Sequence, residues 1–429
     1  MTITLIFIIG GLTVLLASGI WVGISLLSLG MLSLELFRDL RLHSFLAGDI
    51  WGSSTAQEMV TLPMFVLMGE ILFHTRISQN LFSGLAPFVR RLPGGLLHVN
   101  VLGCTLFAAV SGSSAATTTT VGRITLRELD RRGYNRNLAM GSLAGAGTVG
   151  FLIPPSIPLI VYGVLADVSI LRLFIAGIVP GLLLGLLFMG WIGLRSTISS
   201  NVVPKDPPTT WQEKWLALRK LMPITFLILL IVVSMYGGYA SITEAAAVGV
   251  LGALLLAIWD GGFSFRMLWG SLLGTVKTCS MIGLIIVGAL FLSKAMARLA
   301  IPTEVASAIA ALELEPWMFL ILLTLFYLLL GCVLDGLSTI VMTLPVTLPL
   351  VVTAGFDPLW FGIYLVITIE MAQITPPIGF NLFVIRNLTG ETTSRIALAA
   401  VPFCALMLVA VLAVSVLPGL VTWLPGQMN

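Results

Sequence analysis

Long apolar runs separated by short polar stretches dominate the chain. The clearest runs cover residues 2–18, 20–37, 60–75, 170–194, 221–237, 241–259, 281–293 and 396–424. They are continuous rather than alternating, which predicts membrane-spanning helices and not the strands of a β-barrel. Residues 77–91 and 296–315 have the amphipathic pattern of helices that lie at a membrane surface. Residues 263–279 are mixed, and we predict a segment there that is separate from the span at 281–293.

Polar or proline-rich interruptions break the apolar pattern at four places. Two polar stretches, SGSSAATTTT (111–120) and DGLSTI (335–340), each stop an apolar run that then resumes. Two further runs are broken by GFLIPPSIP (150–158) and ITPPIG (374–379). Proline inside a helix removes a backbone hydrogen bond and clashes with the preceding turn. The pattern therefore predicts two helical hairpins with polar tips, which we expect to be re-entrant, and two discontinuous helices.

These interruptions recur in the same order at a nearly constant spacing. Ser113 at the first tip matches Gly336 at the second, and Pro154 matches Pro376, so that the two spacings differ by a single position. A third landmark, the glycine of FVLMGEILF, matches the glycine of LIIVGALFL at nearly the same spacing. Two tips and two proline breaks in one order predict an internal repeat that covers most of the chain.

Composition places the protein in a lipid bilayer. Of the 429 residues, 58% are hydrophobic and only 10% are charged, and the mean hydropathy is +1.07. Soluble domains carry roughly 25% charged residues. So few charges cannot cover the surface of a soluble protein of this length, and the excess apolar surface must contact lipid. We predict an all-α integral membrane protein.

The basic residues indicate how the two halves are oriented. Seventeen of the 22 Lys and Arg residues fall in segments 76–91, 121–137, 195–220, 259–280 and 386–395. Cytoplasmic loops are enriched in Lys and Arg, so these segments are predicted to be cytoplasmic. The remaining five, Arg38, Arg41, Arg172, Lys294 and Arg298, then lie outside together with both termini. The two hairpins would enter from opposite sides, and such an inverted-topology repeat is typical of secondary transporters.

The breaks are candidate binding sites, because unpaired helix-end carbonyls and hydroxyls suit Na⁺ while free helix-end N–H groups suit a carboxylate. We expect about two Na⁺ sites, one in each half. The candidate cation ligands are Ser111, Ser113, Gly150, Ile153 and Pro155 in the first half, and Gly336, Thr339, Ala372, Thr375 and Pro377 in the second. The candidate substrate contacts are Ser114, Ser156, Asp335, Ser338 and Asn381. A single Ser or Thr in a membrane helix can instead bond its own i−4 carbonyl.

Four acidic residues interrupt apolar runs and are functional candidates, since a buried charge costs several kcal/mol in a membrane. Asp335 lies at a hairpin tip and is the best of them. Glu244 in SITEAAAVG equally fits a helix-capping role. Glu70 and Glu370 are equally compatible with hydrogen bonds to neighbouring backbone groups.

The motifs SGSSAATTTTVG, GFLIPPSIPLIVYG, SITEAAAVG and ITPPIGFNLFV, with the GCVLDG hairpin, resemble the large membrane subunit of TRAP (tripartite ATP-independent periplasmic) transporters. The resemblance implies Na⁺-driven uptake of an organic acid, such as a dicarboxylate or sialic acid, by an elevator mechanism. It implies a bacterial inner-membrane location with periplasmic termini. It also implies two partners, a small four-helix membrane subunit and a periplasmic substrate-binding protein. No nucleic-acid partner is expected.

This resemblance divides the chain into scaffold and transport parts. The parts are 1–92 and 221–315 (scaffold spans with an interfacial arm), 93–166 and 316–390 (hairpin with broken helix, the transport domain), 167–220 (span and cytoplasmic linker) and 391–429 (C-terminal span). A self-sufficient Na⁺/dicarboxylate carrier of related fold is the main alternative. A membrane enzyme would need a catalytic motif such as HExxH, which is missing from the sequence, and a channel fits an inverted repeat poorly.

Overall fold

The computed structural model describes residues 2–37, 42–56, 58–75, 77–198, 204, 209–310, 315–377 and 379–427. Its regular elements within those ranges are all helical. The first half contains α1 (Thr2–Ala17), α2 (Val22–Phe37), α3 (Leu42–Ser54), α4 (Glu58–Phe73), α5 (Ile77–Val89), α6 (His98–Ser111), α7 (Ser114–Arg131), α8 (Arg136–Val149), α9 (Ile157–Ala166) and α10 (Ile170–Ile198). The second half contains α11 (Trp211–Tyr236), α12 (Ile242–Trp259), α13 (Phe265–Arg298), α14 (Ile301–Ala310), α15 (Pro316–Gly331), α16 (Gly336–Thr353), α17 (Pro358–Gln373), α18 (Phe380–Thr389), α19 (Thr393–Val416) and α20 (Gly419–Thr422).

Within the described residues, six helices are long and apolar enough to cross a membrane, namely α10, α11, α12, α13, α16 and α19. One expectation from the sequence is wrong. The segments 263–279 and 281–293 are not separate, because both belong to the 34-residue helix α13. Lys277 lies within this helix, and no proline interrupts the 34 residues from Phe265 to Arg298. At 1.5 Å per residue, α13 is about 50 Å long and exceeds the roughly 30 Å hydrocarbon core.

The internal repeat is visible in the helix boundaries. The shift in numbering from α7 to α16 is the same at both ends of the helix, and it equals the shift from the start of α8 to the start of α17. The long helix α19 follows α18 as α10 follows α9. Both halves therefore present a helix pair with a short tip and then a helix interrupted at a Pro-Pro pair, in the order that the sequence predicts.

Helices of the first half pack against helices of the second half. In the outer set of helices, α2 packs on α13 and α4 packs on α12. In the set that carries the tips and breaks, α19 packs on α8 and α10 packs on α17. Gly23 allows the first of these contacts, because a Cβ at this position would lie 2.7 Å from the backbone of Leu284. Each repeat therefore completes the packing of the other, and the tips and breaks lie among helices from both halves.

An ionic cluster joins the halves where α8 begins and α18 ends. The Arg136 guanidinium lies 3.3 Å from the Glu391 carboxylate and donates a 2.9 Å hydrogen bond to the carbonyl of Thr389. Arg395 donates to Oδ1 of Asn137 over 3.0 Å. Arg136 belongs to segment 121–137, which the charge pattern predicts to be cytoplasmic. The predicted outer residues Arg38 and Arg41, and part of segment 195–220, lie outside the described residues.

Candidate functional site

The first tip is a two-residue turn between α6 and α7. Helix α6 ends at Ser111, and Gly112 adopts a left-handed conformation with φ of 57°. The Ser113 side chain then caps α7 by accepting a hydrogen bond from the backbone N–H of Ala116. The hydroxyls of Ser111 and Thr117 are 2.8 Å apart, and the backbone N–H of Ser113 donates to the Ser111 hydroxyl over 3.4 Å.

The first break interrupts the helix that follows this hairpin. Helix α8 ends at Val149 and α9 begins at Ile157. Ser156 caps α9 by accepting from the N–H of Leu159, and its own hydroxyl donates to the carbonyl of Phe151. The carbonyl end of α8 and the N–H end of α9 thus meet at one buried gap, which contains Gly150, Ile153 and Pro155. This is the backbone arrangement that the sequence predicts for a site that holds ions.

The second tip is longer and is fastened to the second break. Asp335 caps α16 by accepting from the N–H of Ser338, and the Thr339 hydroxyl donates to the carbonyl of Asp335. The side-chain amide of Gln373, at the end of α17, donates to the carbonyls of Gly331 and Leu334 over 3.2 and 3.0 Å. Two carbonyl oxygens beside the tip therefore accept hydrogen bonds from Gln373.

The second break lies between α17 and α18. Thr375 donates its hydroxyl hydrogen to the carbonyl of Met371, and the N–H of Gly379 donates to the carbonyl of Cys332 over 3.3 Å. Gly379 has φ of 44°, a left-handed conformation that favours glycine. Ala372 and Pro377 lie in the same segment. The turn around the break thus packs directly against the end of α15.

Tips and breaks from the two repeats meet at Ser114, the first residue of α7. Its hydroxyl lies 3.1 Å from the carbonyl of Gly147 in α8 and 3.0 Å from Oε2 of Glu370 in α17. The side-chain amide of Asn381 in α18 donates to the same hydroxyl over 2.8 Å. Ser114, Glu370 and Asn381 are all buried. A continuous polar cluster therefore links the first tip to both discontinuous helices.

The helix boundaries pair Ser114 with Gly336 of the second tip, so the sequence match of Ser113 with Gly336 is off by one position. A Cβ at Gly336 would come within 3.3 Å of Ile369 in α17 and within 3.2 Å of Phe151 in the first break. The first residue after each tip thus contacts the broken helix of its own repeat and also reaches a broken helix of the other. The structure brings the two predicted half-sites into one region.

The candidate ligands have oxygen donors of the right kind for Na⁺. The Ser111, Thr339 and Thr375 hydroxyls take part in hydrogen bonds within the site. A hydroxyl that donates its hydrogen keeps lone pairs for a cation, so these bonds are compatible with both interpretations of such residues. In the described part of the chain, no group of three or more His, Cys, Asp or Glu could hold a metal ion. Carbonyl and hydroxyl oxygens are ligands that suit a hard cation.

Two of the four acidic candidates, Asp335 and Glu244, cap helices. Asp335 is exposed and caps α16, and its contact with substrate stays a prediction. Glu244 forms a capping box with Ser241, which confirms the capping interpretation. Glu70 lies against α13, where its carboxyl group fills the space beside Gly274.

Glu370 is the residue whose position the sequence pattern did not reveal. It lies inside an apolar helix, 256 residues from Ser114, and its described partner is that hydroxyl and not a backbone group. Gln373 was missed for the same reason, since only its position in space brings it to the second tip. The available signal was an acidic residue in an apolar helix six positions before a Pro-Pro pair.

The chain matches a family model over residues 9–420, and that model is described as "Tripartite ATP-independent periplasmic transporter, DctM component". It is 34% identical over 406 residues to the C4-dicarboxylate TRAP transporter large permease protein DctM of Pseudomonas aeruginosa, and the match covers 93% of each chain. It is 27% identical to the sialic acid TRAP transporter large permease protein SiaM of Vibrio cholerae, over 96% of each chain.

A solved structure has a similar fold. The Alcanivorax borkumensis YdaH transporter superposes with a TM-score of 0.61 at 16% sequence identity, and the match covers 90% of this chain and 89% of that one. At this identity the likeness concerns the fold alone.

Proposed function

The chain belongs to the family of DctM components of tripartite ATP-independent periplasmic transporters, and on this premise we propose that it forms the membrane pathway of a Na⁺-coupled importer of organic acids. Its relatives are named as permease subunits and not as enzymes. The two relatives described above are named for different substrates, C4-dicarboxylates and sialic acid, which share a carboxylate. A carboxylate is the substrate group that unpaired helix N-terminal N–H groups favour.

One observation supports this function above the others. Ser114 at the first tip contacts Glu370 and Asn381, which flank the second break. Two tips and two broken helices that meet in one buried region offer carbonyl, hydroxyl and N–H groups together, which suits an anionic substrate beside a cation. We assign the ten cation-ligand candidates and the five substrate-contact candidates to this region.

The mechanism we propose is an elevator. Helices α6–α10 and α15–α19 pack on one another across the repeats, for example α8 on α19 and α10 on α17. In our proposal they move as one body against α1–α5 and α11–α14 and carry substrate and Na⁺ together. The spans α10 and α19, which the sequence analysis leaves outside the transport domain, are added to it here because they pack on α17 and α8. The basic segment 121–137 and the Arg136 cluster face the cytoplasm in this proposal, and both termini face the periplasm.

The partners follow from the family's three-component organisation. We propose that a periplasmic binding protein delivers the substrate and that a small membrane subunit supports the scaffold helices. The test is reconstitution of the chain in proteoliposomes with both cognate partners and with each partner omitted. Substrate uptake that requires the binding protein supports the proposal. Uptake of free substrate by this chain alone would instead support a self-sufficient Na⁺/dicarboxylate carrier.

A further inference from the structure

Glu370 is a buried carboxylate with an incomplete set of partners. Its side chain is 1% exposed, and Oε2 lies 3.0 Å from the Ser114 hydroxyl. Oε1 is also buried, and none of the described residues donates a hydrogen bond to it. An ionised carboxylate in such a position costs several kcal/mol unless it is paired.

The Ser114 hydroxyl compensates this carboxylate only in part. The same hydroxyl also lies 3.1 Å from the carbonyl of Gly147 and accepts a hydrogen bond from Asn381. Since a serine hydroxyl carries one hydrogen, it cannot donate to Gly147 and Glu370 at the same time. At any moment the carboxylate thus has at most one neutral donor among these groups.

No cationic side chain balances the charge within the described residues. The ion pairs among those residues involve the loops near Arg90, Arg132 and Arg136, and Asp49 with its two basic partners. None of them includes Glu370. Because this carboxylate is alone, its single negative charge matches one monovalent cation and not a divalent one.

The second tip lies beside the unpaired oxygen. A Cβ at Gly336 would lie 3.8 Å from Oε1 of Glu370, next to the side chains of Phe151 and Ile369. Gly336 is one of the candidate cation ligands. Two others, Ala372 and Thr375, follow Glu370 closely on the same chain. The Asp335 carboxylate at the same tip is exposed and caps α16, so Oε1 is the buried, unpaired carboxylate oxygen beside the candidate site in the second half.

We propose that the Glu370 carboxylate supplies the negative charge that holds Na⁺ at the second tip, with Ser114 fixing the carboxylate through Oε2. The inference rests on the proposed Na⁺ coupling and adds a residue to it. Carboxylate, carbonyl and hydroxyl oxygens together form a ligand environment suited to a small hard cation.

Thermal unfolding of the purified full-length chain tests the proposal without measuring transport. The melting temperature is followed while NaCl replaces choline chloride at constant ionic strength, with KCl as the ion control. A cation that binds only the folded protein raises the melting temperature with its concentration. Glu370→Gln keeps the size of the side chain and removes its charge. We expect this variant to need about tenfold more Na⁺ for the same rise, because the fixed charge is lost.

The Na⁺-free sample distinguishes this role from a structural one. In choline chloride, Glu370→Gln should melt at or above the temperature of the unmodified protein, since a neutral amide avoids the cost of an uncompensated charge. Glu213→Gln removes an exposed carboxylate at the start of α11 and should leave the Na⁺ response unchanged.

Each outcome bears on a different claim. A Na⁺ response of Glu370→Gln equal to that of the unmodified protein overturns the role of Glu370 and leaves Na⁺ coupling intact. No Na⁺-specific stabilisation of the unmodified protein overturns both. If Glu370→Gln does not fold, Glu370→Asp replaces it, which retains the charge one methylene further away. An unchanged Na⁺ response of Glu370→Asp then contradicts the proposal, and a weakened one supports it.

Discussion

The Ser114 hydroxyl lies 3.0 Å from Oε2 of Glu370, so the first residue after one hairpin tip contacts a buried carboxylate beside the other repeat's break. Because Asn381 also donates to this hydroxyl, a single serine connects α7, α17 and α18. The contact explains how two half-sites that are far apart in sequence can act as one.

Ser114→Ala should destabilise the folded protein by about 1–3 kcal/mol, because it leaves buried polar groups on Gly147, Glu370 and Asn381 without their shared partner. Chemical or thermal unfolding in detergent measures the loss. The matched control is Thr119→Ala in the same helix, whose hydroxyl bonds only its own i−4 carbonyl among the described contacts. Equal losses of stability in the two variants would show that the contacts of Ser114 stabilise the fold no more than a hydrogen bond within one helix does.

Gly112→Ala should disrupt the first tip. Gly112 has φ of 57°, which costs a residue with a Cβ roughly 1–2 kcal/mol, and the added methyl group would lie 2.9 Å from Ile157. Gly133→Ala provides the control, since Gly133 has φ of 77° but no atom within 4 Å of its would-be Cβ. We expect a larger drop in melting temperature for Gly112→Ala. The reverse order would mean that the tip tolerates the crowding at Ile157.

Ser113→Ala and Thr339→Ala should each weaken the Na⁺ dependence of transport without unfolding the protein. Ser113 caps α7, so its replacement also costs about 1 kcal/mol of stability, which the remaining fold should withstand. The measurement is the Na⁺ concentration for half-maximal uptake, which should rise several-fold. Unchanged Na⁺ affinity in both variants would contradict the assignment of these two hydroxyls as cation ligands.

Topology can be tested at segment 121–137. A cysteine introduced at the exposed position of Arg127 should react with a membrane-impermeant thiol reagent only after the cells are opened. Two native cysteines, Cys104 and Cys332, are buried, and the unmodified chain provides the labelling background. Labelling of Arg127→Cys in intact cells would invert the proposed orientation.

Local sequence signals predicted the elements of the site, whereas contacts between residues far apart in the sequence determine how those elements are arranged. The tips and breaks were predictable because local residues mark them, namely Gly112 with the Ser113 cap, the Asp335 cap and a Pro-Pro pair at each break. The pairing of Ser114 with Glu370 was not, because it joins residues 256 positions apart and depends on how the two repeats pack. The continuity of α13 was also not predicted. Lys277 interrupts the apolar pattern, and such a residue is compatible with a loop as well as with a helix.

Na⁺-driven accumulation of substrate tests the central claim most directly. The full-length chain is reconstituted with its small subunit and its loaded binding protein, and uptake is followed at a clamped membrane potential. An inward Na⁺ gradient should concentrate the organic acid inside the vesicles, and equal Na⁺ on both sides should abolish the accumulation. Accumulation that is the same with choline in place of Na⁺ would contradict Na⁺-coupled transport through the site around Ser114 and Glu370.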